Sequence, residues 1–239
     1  MKKITLLFAL ITLVSCEEIP SSIGGIIQDY LSSINNISSS FNESTSNELE
    51  MNSSDTNLDD SSSLIYSIPD EEKISIYINP SVQTANMYYN NITTEAETMN
   101  KLAKILVNEL NKDPRFLIYH NLSMMSLKES IKHSNSLNVD YHLALHTNAG
   151  GGSGSEAYFY KNNKFAKELL STFDKYHNFP KRGVKNGSHL YELKNATAKN
   201  SCLIEFLFHD NQKEANYIIN NLNTFASSII ETFDKIASK

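Results

Sequence analysis

Three side chains able to do chemistry stand at the ends of apolar runs. His146 closes YHLALHT and precedes Asn148-Ala149-Gly150-Gly151-Gly152, Glu205 interrupts SCLIEFLF, and Glu95 sits in NITTEAE. An imidazole with two carboxylates is a set suited to metal binding and to proton transfer. An ionised carboxylate in a run as apolar as that around Glu205 is costly unless a cation or hydrogen-bond donors satisfy it. The glycine run just past His146 lets the backbone open space beside the ring. Taken singly, each residue also has a plainer reading. His146 could be a packed core histidine, and Thr94 to Glu97 fits a capping box in which acidic residues favour the first helical turn.

The elements that must position these residues alternate in type. ISIYIN (74–79) reads as a strand, and TEAETMNKLAKILVNELNK (94–112) carries Met99, Leu102, Ile105, Leu106 and Leu110 at helical spacing. FLIYH (116–120), YHLALHT (141–147), EAYFYK (156–161), HLYEL (189–193) and SCLIEFLF (201–208) read as strands. SLKESIKHSNSL (126–137), KFAKELLSTFDKYH (164–177) and one long segment over 212–236 read as helices. The alternation predicts an α/β fold: a largely parallel, mixed sheet of about six strands with helices on both faces. In such sheets function gathers at the carboxyl ends of the strands, where His146 and Glu205 fall.

The chain has 239 residues with a formal net charge of −6, and its lysines are scattered, which argues against nucleic acid as a partner. Residues 1–16, MKKITLLFALITLVSC, place Lys2 and Lys3 before an eleven-residue apolar run and end on Cys16. That run is too short to span a bilayer and suits a secretory signal. Its ending, Leu13-Val14-Ser15-Cys16, resembles a lipobox, which implies export and a membrane anchor through lipidated Cys16. Residues 17–71 read as a Ser/Asn-rich flexible tether, and 72–239 as the folded domain. With only Cys202 left beside Cys16, a disulfide framework is excluded, and Cys202 reads as a small buried residue.

Beyond Ile74 the sequence resembles the zinc-dependent N-acetylmuramoyl-L-alanine amidases of the type-3 amidase family, which cut the bond between muramic acid and the stem peptide of peptidoglycan. NPSVQTANMYY, EAETMNKLAK, MSLKESIKHSN, LALHTNAGGGSGSEAYFY, RGVK (182–185), LYEL and CLIEFLFHDN carry the likeness by their order and spacing. The resemblance implies a zinc ligand at His146, a second at or next to Glu95, and a general base and acid at Glu205. A zinc-bound water deprotonated toward Glu205 would attack an amide carbonyl that the metal polarises. Peptidoglycan becomes the expected partner, with Asn148 and Arg182 as candidate substrate contacts. Arg182 and Lys185 are the notable cations near the motifs, and they either face an acidic stem peptide or are simply solvated.

The sequence departs from the family at one position. Where the resemblance calls for Asp-Pro-Gly-His after the first strand, this chain reads Asn79-Pro80-Ser81-Val82, and valine cannot bind a metal. Gln83 is a neutral amide and a poor zinc ligand. His142, four residues before His146 on one strand, lies roughly 13 Å away along the backbone and is expected to support or pack. His209, just past Glu205, is the candidate for the missing ligand. The alternative is a catalytically impaired relative that binds peptidoglycan or regulates an amidase.

Overall fold

The computed structural model describes residues 68–239. The expected signal segment, Cys16 and the tether as far as residue 67 lie outside the described residues. In chain order the elements are β1 (Ile74–Pro80), α1 (Glu95–Leu110), β2 (Phe116–His120), α2 (Leu127–Ser136), β3 (Tyr141–Asn148) and β4 (Ser155–Phe159). They continue with α3 (Lys164–Phe173), β5 (Lys181–Asn186), α4 (Tyr191–Asn195), β6 (Asn200–Phe208), α5 (Gln212–Asn220) and α6 (Leu222–Ala237). The sheet order is β2-β1-β3-β6-β4-β5. β2, β1, β3 and β6 run parallel, β4 lies antiparallel to β6, and β5 runs parallel to β4. The α/β class and the mixed, largely parallel six-stranded sheet are as expected.

Strand alternation sorts the side chains onto two faces. Ile76, Ile78, Leu143, Leu145, Cys202, Ile204 and Phe206 join the main core with apolar residues of α1, α3 and α6, among them Leu102, Phe173 and Phe233. Each fully buried Leu or Phe there contributes about 1.5 to 3 kcal/mol relative to exposure. The residues between them, Tyr77, Ala144 and Leu203, enter small clusters on the opposite face, where Leu193 of α4 packs. By the same period of two, Asn79, His142, His146 and Glu205 belong to this second face, where α2 and α4 leave the strand ends open.

Three local expectations change. HLYEL, expected as a strand, forms the short helix α4, because Leu190 and Leu193 pack on the same cluster at a spacing of three. The segment around RGVK is instead the edge strand β5, in which only Val184 reaches the core. The long helix expected over 212–236 breaks at Asn221, whose backbone is non-helical (φ −128°, ψ 25°) and whose side chain bonds the carbonyl of Tyr217 at 2.8 Å. No helix among the described residues is long and apolar enough to cross a membrane. Cys202 is buried and free.

Candidate active site

The carboxyl end of β3 brings His146 beside Glu205, its partner in the parallel register with β6. Glu95 arrives from the start of α1. Thr94 and Glu97 form the capping box expected there, and this leaves Glu95, one position into the helix and 1% exposed, free to point inward. Its Oε1 accepts from His146 Nδ1 at 2.9 Å and from the Thr147 amide at 3.3 Å, while Oε2 accepts from Asn86 Nδ2 at 2.6 Å. On the other side of the ring, His146 Nε2 lies 3.7 Å from Oε2 of Glu192, a buried residue of α4. Glu192 Oε1 in turn accepts from His142 Nε2 at 2.8 Å and from Asn79 Nδ2 at 2.5 Å, and His142 Nδ1 meets Ser134 Oγ at 2.8 Å. His142 thus supports the site from behind, as expected.

The charges follow from this arrangement. Burial favours the neutral imidazole of His146, but Glu192 and Glu95, one at each ring nitrogen, outweigh it and raise its pKa well above the ordinary value. Burial also pushes against ionised Glu192, yet its hydrogen bond to His142 and the nearby imidazole of His146 hold its carboxyl well below the usual range. Glu205 is different. Its Oε2 is buried with no hydrogen-bond partner. Burial raises its pKa to about 7; the charge on His146 opposes the rise, and those on Glu95 and Glu156 add to it.

Directly across the antiparallel register from Glu205 stands Glu156 of β4. Its Oε1 accepts from Asn148 Nδ2 and from Tyr158 Oη, each at 2.8 Å. Its Oε2 takes Arg182 Nε at 2.7 Å and the Lys185 ammonium. Burial works against its ionisation, but Lys185 and Arg182 prevail and hold its pKa at about 2.

The glycine segment is tied to the end of β6. Asp210 Oδ2 accepts from the amides of Gly150 at 2.7 Å and Gly151 at 2.8 Å, and the buried Glu214 accepts from the amides of Gly154 and Phe208 and from the Ser153 hydroxyl. Gly150 and Gly151, at φ +107° and +73°, have open space around them; a Cβ on Gly152 would instead collide with the Phe208 ring at 2.4 Å. Of the three consecutive glycines, only the first two stand in open space. The register also slips here: the two steps along β3 from His146 to Asn148 span three steps of β6, from Glu205 to Phe208.

Of the expected site residues, His146, Glu95 and Glu205 come together, and Asn148 and Arg182 meet at Glu156. His209, expected as a metal ligand, lies apart from the His146–Glu95 pair in the hydrogen bonds it makes. That ring is buried, stacks on Tyr88 with centroids 5.3 Å apart, and its Nδ1 meets Thr147 Oγ1 at 3.0 Å, so it packs beneath the strand end. Sequence reasoning missed Glu192, Glu156 and the pairing of Lys185. Val82 and Gln83 line a cavity of about 160 Å³ together with His146 and Glu192. Gln83 Nε2 lies 3.4 Å from His146 Nδ1.

This donor set does not fit a zinc ion with three protein ligands. Val82 offers no lone pair, and Glu95 and His146 are hydrogen-bonded to each other. Among the described residues no three His, Cys, Asp or Glu side chains are arranged to hold a metal.

Residues 52–234 match the family described as N-acetylmuramoyl-L-alanine amidase. The chain belongs to that family, whose members are generally zinc enzymes. The amidase CwlM of Bacillus licheniformis is 30% identical over 128 residues, which is 50% of this chain and 48% of that protein. The chain thus aligns with about half the length of this curated relative. Among solved structures, an amidase of Clostridium difficile 630 superposes with a TM-score of 0.62 at 19% identity, covering 70% of this chain and 98% of that one. AmiC2 of Nostoc punctiforme gives 0.63 at 14% identity, covering 70% and 98%. These structures share the fold.

Proposed function

We propose that the domain acts on peptidoglycan at the amide between N-acetylmuramic acid and the L-alanine of the stem peptide. The observation that carries this reading is Glu205 Oε2, a sealed carboxylate oxygen without a partner, at a strand end of an amidase fold and beside the cationic His146. A pKa of about 7 suits a group that both takes and returns a proton near neutrality. In this reading Glu205 Oε2 takes a proton from water as the oxygen attacks the amide carbon. It then passes that proton to the alanine nitrogen as the C–N bond breaks, leaving a lactyl carboxylate and a free amine. His146, held between Glu95 and Glu192, keeps a positive charge next to that carboxyl. Cys16 carries the lipid that keeps the domain at the membrane, and loss of palmitate labelling in Cys16→Ala tests that part.

Val82 favours a second reading, a relative that binds peptidoglycan or regulates an amidase without hydrolysing it. The two separate in one experiment, in which the purified full chain is incubated with sacculi with and without added zinc. Release of stem peptides with a new alanine amino terminus, lost in Glu205→Gln, supports hydrolysis. Pelleting with sacculi and no release under either condition favours the second reading.

A further inference from the structure

Two partly exposed cations stand at the edge of the site on the side away from Glu95. Arg182 and Lys185 project from β5, their side chains 36% and 40% exposed, and both converge on Oε2 of Glu156, which is 3% exposed. Asn148 and Tyr158 fill its other oxygen, so Glu156 accepts from four donors. Two positive charges thus converge on one carboxylate, on the strand next but one to that of Glu205, with the charge of Glu214 also acting on Arg182. The unspent donors are numerous. Arginine has five N–H groups, and only Nε of Arg182 is bound to Glu156, with the guanidinium carbon 5.0 Å from the centroid of the Phe208 ring. A guanidinium placed over a ring, with no hydrogen bond from its terminal nitrogens among the described residues, is prepared for a planar two-oxygen acceptor. Lys185, 5.9 Å from the centroid of the Tyr158 ring, adds a second point of charge.

We propose that Arg182 and Lys185, held by Glu156 beside Glu205, form a carboxylate-binding edge that receives the peptide side of the scissile amide. It selects stem peptides bearing a free carboxylate over those in which that group is amidated. This inference rests on the muramoyl-peptide reading of the site. Within that substrate the assignment to the peptide follows from chemistry: the lactyl carboxyl of muramic acid is consumed in the amide, and the remaining sugar groups are hydroxyls and acetamides. The nearest carboxylate available to the edge is therefore on the residue after L-alanine.

The test is calorimetric titration of the purified full chain with two soluble probes, N-acetylmuramoyl-L-alanyl-D-glutamate γ-methylamide, whose α-carboxylate is free, and the corresponding α-amide, the γ-carboxyl being blocked in both as it is in the stem peptide. The acid is expected to bind about tenfold more tightly, the worth of one charge-assisted contact. The preference should shrink at high salt, because the cations are partly exposed. Arg182→Gln, which leaves Glu156 paired with Lys185, should lose most of the preference for the acid over the amide. Lys185→Gln serves the same purpose if the first variant folds poorly. Equal binding of the two probes to the unmutated chain overturns the carboxylate edge and leaves the muramoyl-peptide reading standing. Binding of neither probe overturns both.

Discussion

Glu205 and Glu156 face each other across the β6–β4 pairing, and they ionise in opposite directions, to about 7 and about 2. Burial opposes ionisation in both, so burial alone does not separate them. The difference is in partners. Glu156 is enclosed by four donors, two of them cationic, and is fixed as an anion that organises the basic edge. Glu205 keeps an oxygen with no donor at all and remains able to change protonation near neutral pH. Two identical side chains on adjacent strands thereby divide the work, one holding position and the other holding a proton.

The largest test of this division is Glu205→Gln, which is expected to lower stem-peptide release by about 10²- to 10⁴-fold, the usual worth of a general acid–base group. Reading new alanine amino termini checks it. Next, Val82→His should raise zinc affinity by roughly tenfold or more by completing a three-ligand set with Glu95 and His146. Equilibrium dialysis with metal analysis reads this, and an unchanged affinity would mean that position 82 does not reach the pair.

Stability offers a third test. The carboxyl of Glu205 binds its proton more tightly in the folded chain than in the unfolded one, so its contribution is complete below the ordinary carboxylate range and is lost as pH rises through about 7. Glu205→Gln removes that loss. The variant should therefore gain about 2 to 3 kcal/mol over the unmutated chain above pH 7, compared with their difference near pH 4. Urea unfolding at both pH values measures it. Glu156→Gln should act in the opposite sense, costing about 1 to 3 kcal/mol at neutral pH by leaving Arg182 and Lys185 without their shared acceptor. For Glu156 the depressed pKa means that its own contribution is present above the ordinary range and fades as pH falls toward 2.

The two carboxylates also differ in how visible they are in the sequence. Glu205 announces itself because a charge in CLIEFLF breaks an apolar run, and His146 and Glu95 stand at equally readable boundaries. The strands β1, β3 and β6 are legible for the same reason, since their alternation or apolar length is strong. Glu156 lies in GSEAYFY, where nothing distinguishes it from a solvated strand residue. Its role depends on β4 running antiparallel to β6, and that is decided by the return of the chain rather than by local pattern. β5 is nearly invisible, because an edge strand reading KRGVKN shows only Val184 to the core. Glu192 was hidden by the mistaken strand at HLYEL; as part of a helix it reaches both His142 and His146. The contacts of His209 with Thr147 and Tyr88 are not legible, because proximity in sequence to Glu205 does not fix the direction of a side chain after a register slip.

That slip sets a rule of length for the site. With three steps of β6 spanned by two of β3, everything after Glu205 is offset by one position. Phe208 consequently comes to lie beneath the guanidinium that bonds Glu156, while Asp210 and Glu214 hold the glycine turn. The carboxyl of Glu205, the Arg182 guanidinium and the turn are thus kept in phase by a single count of residues. This stretch can absorb changes of side chain, but the gain or loss of one residue would put all three out of step at once.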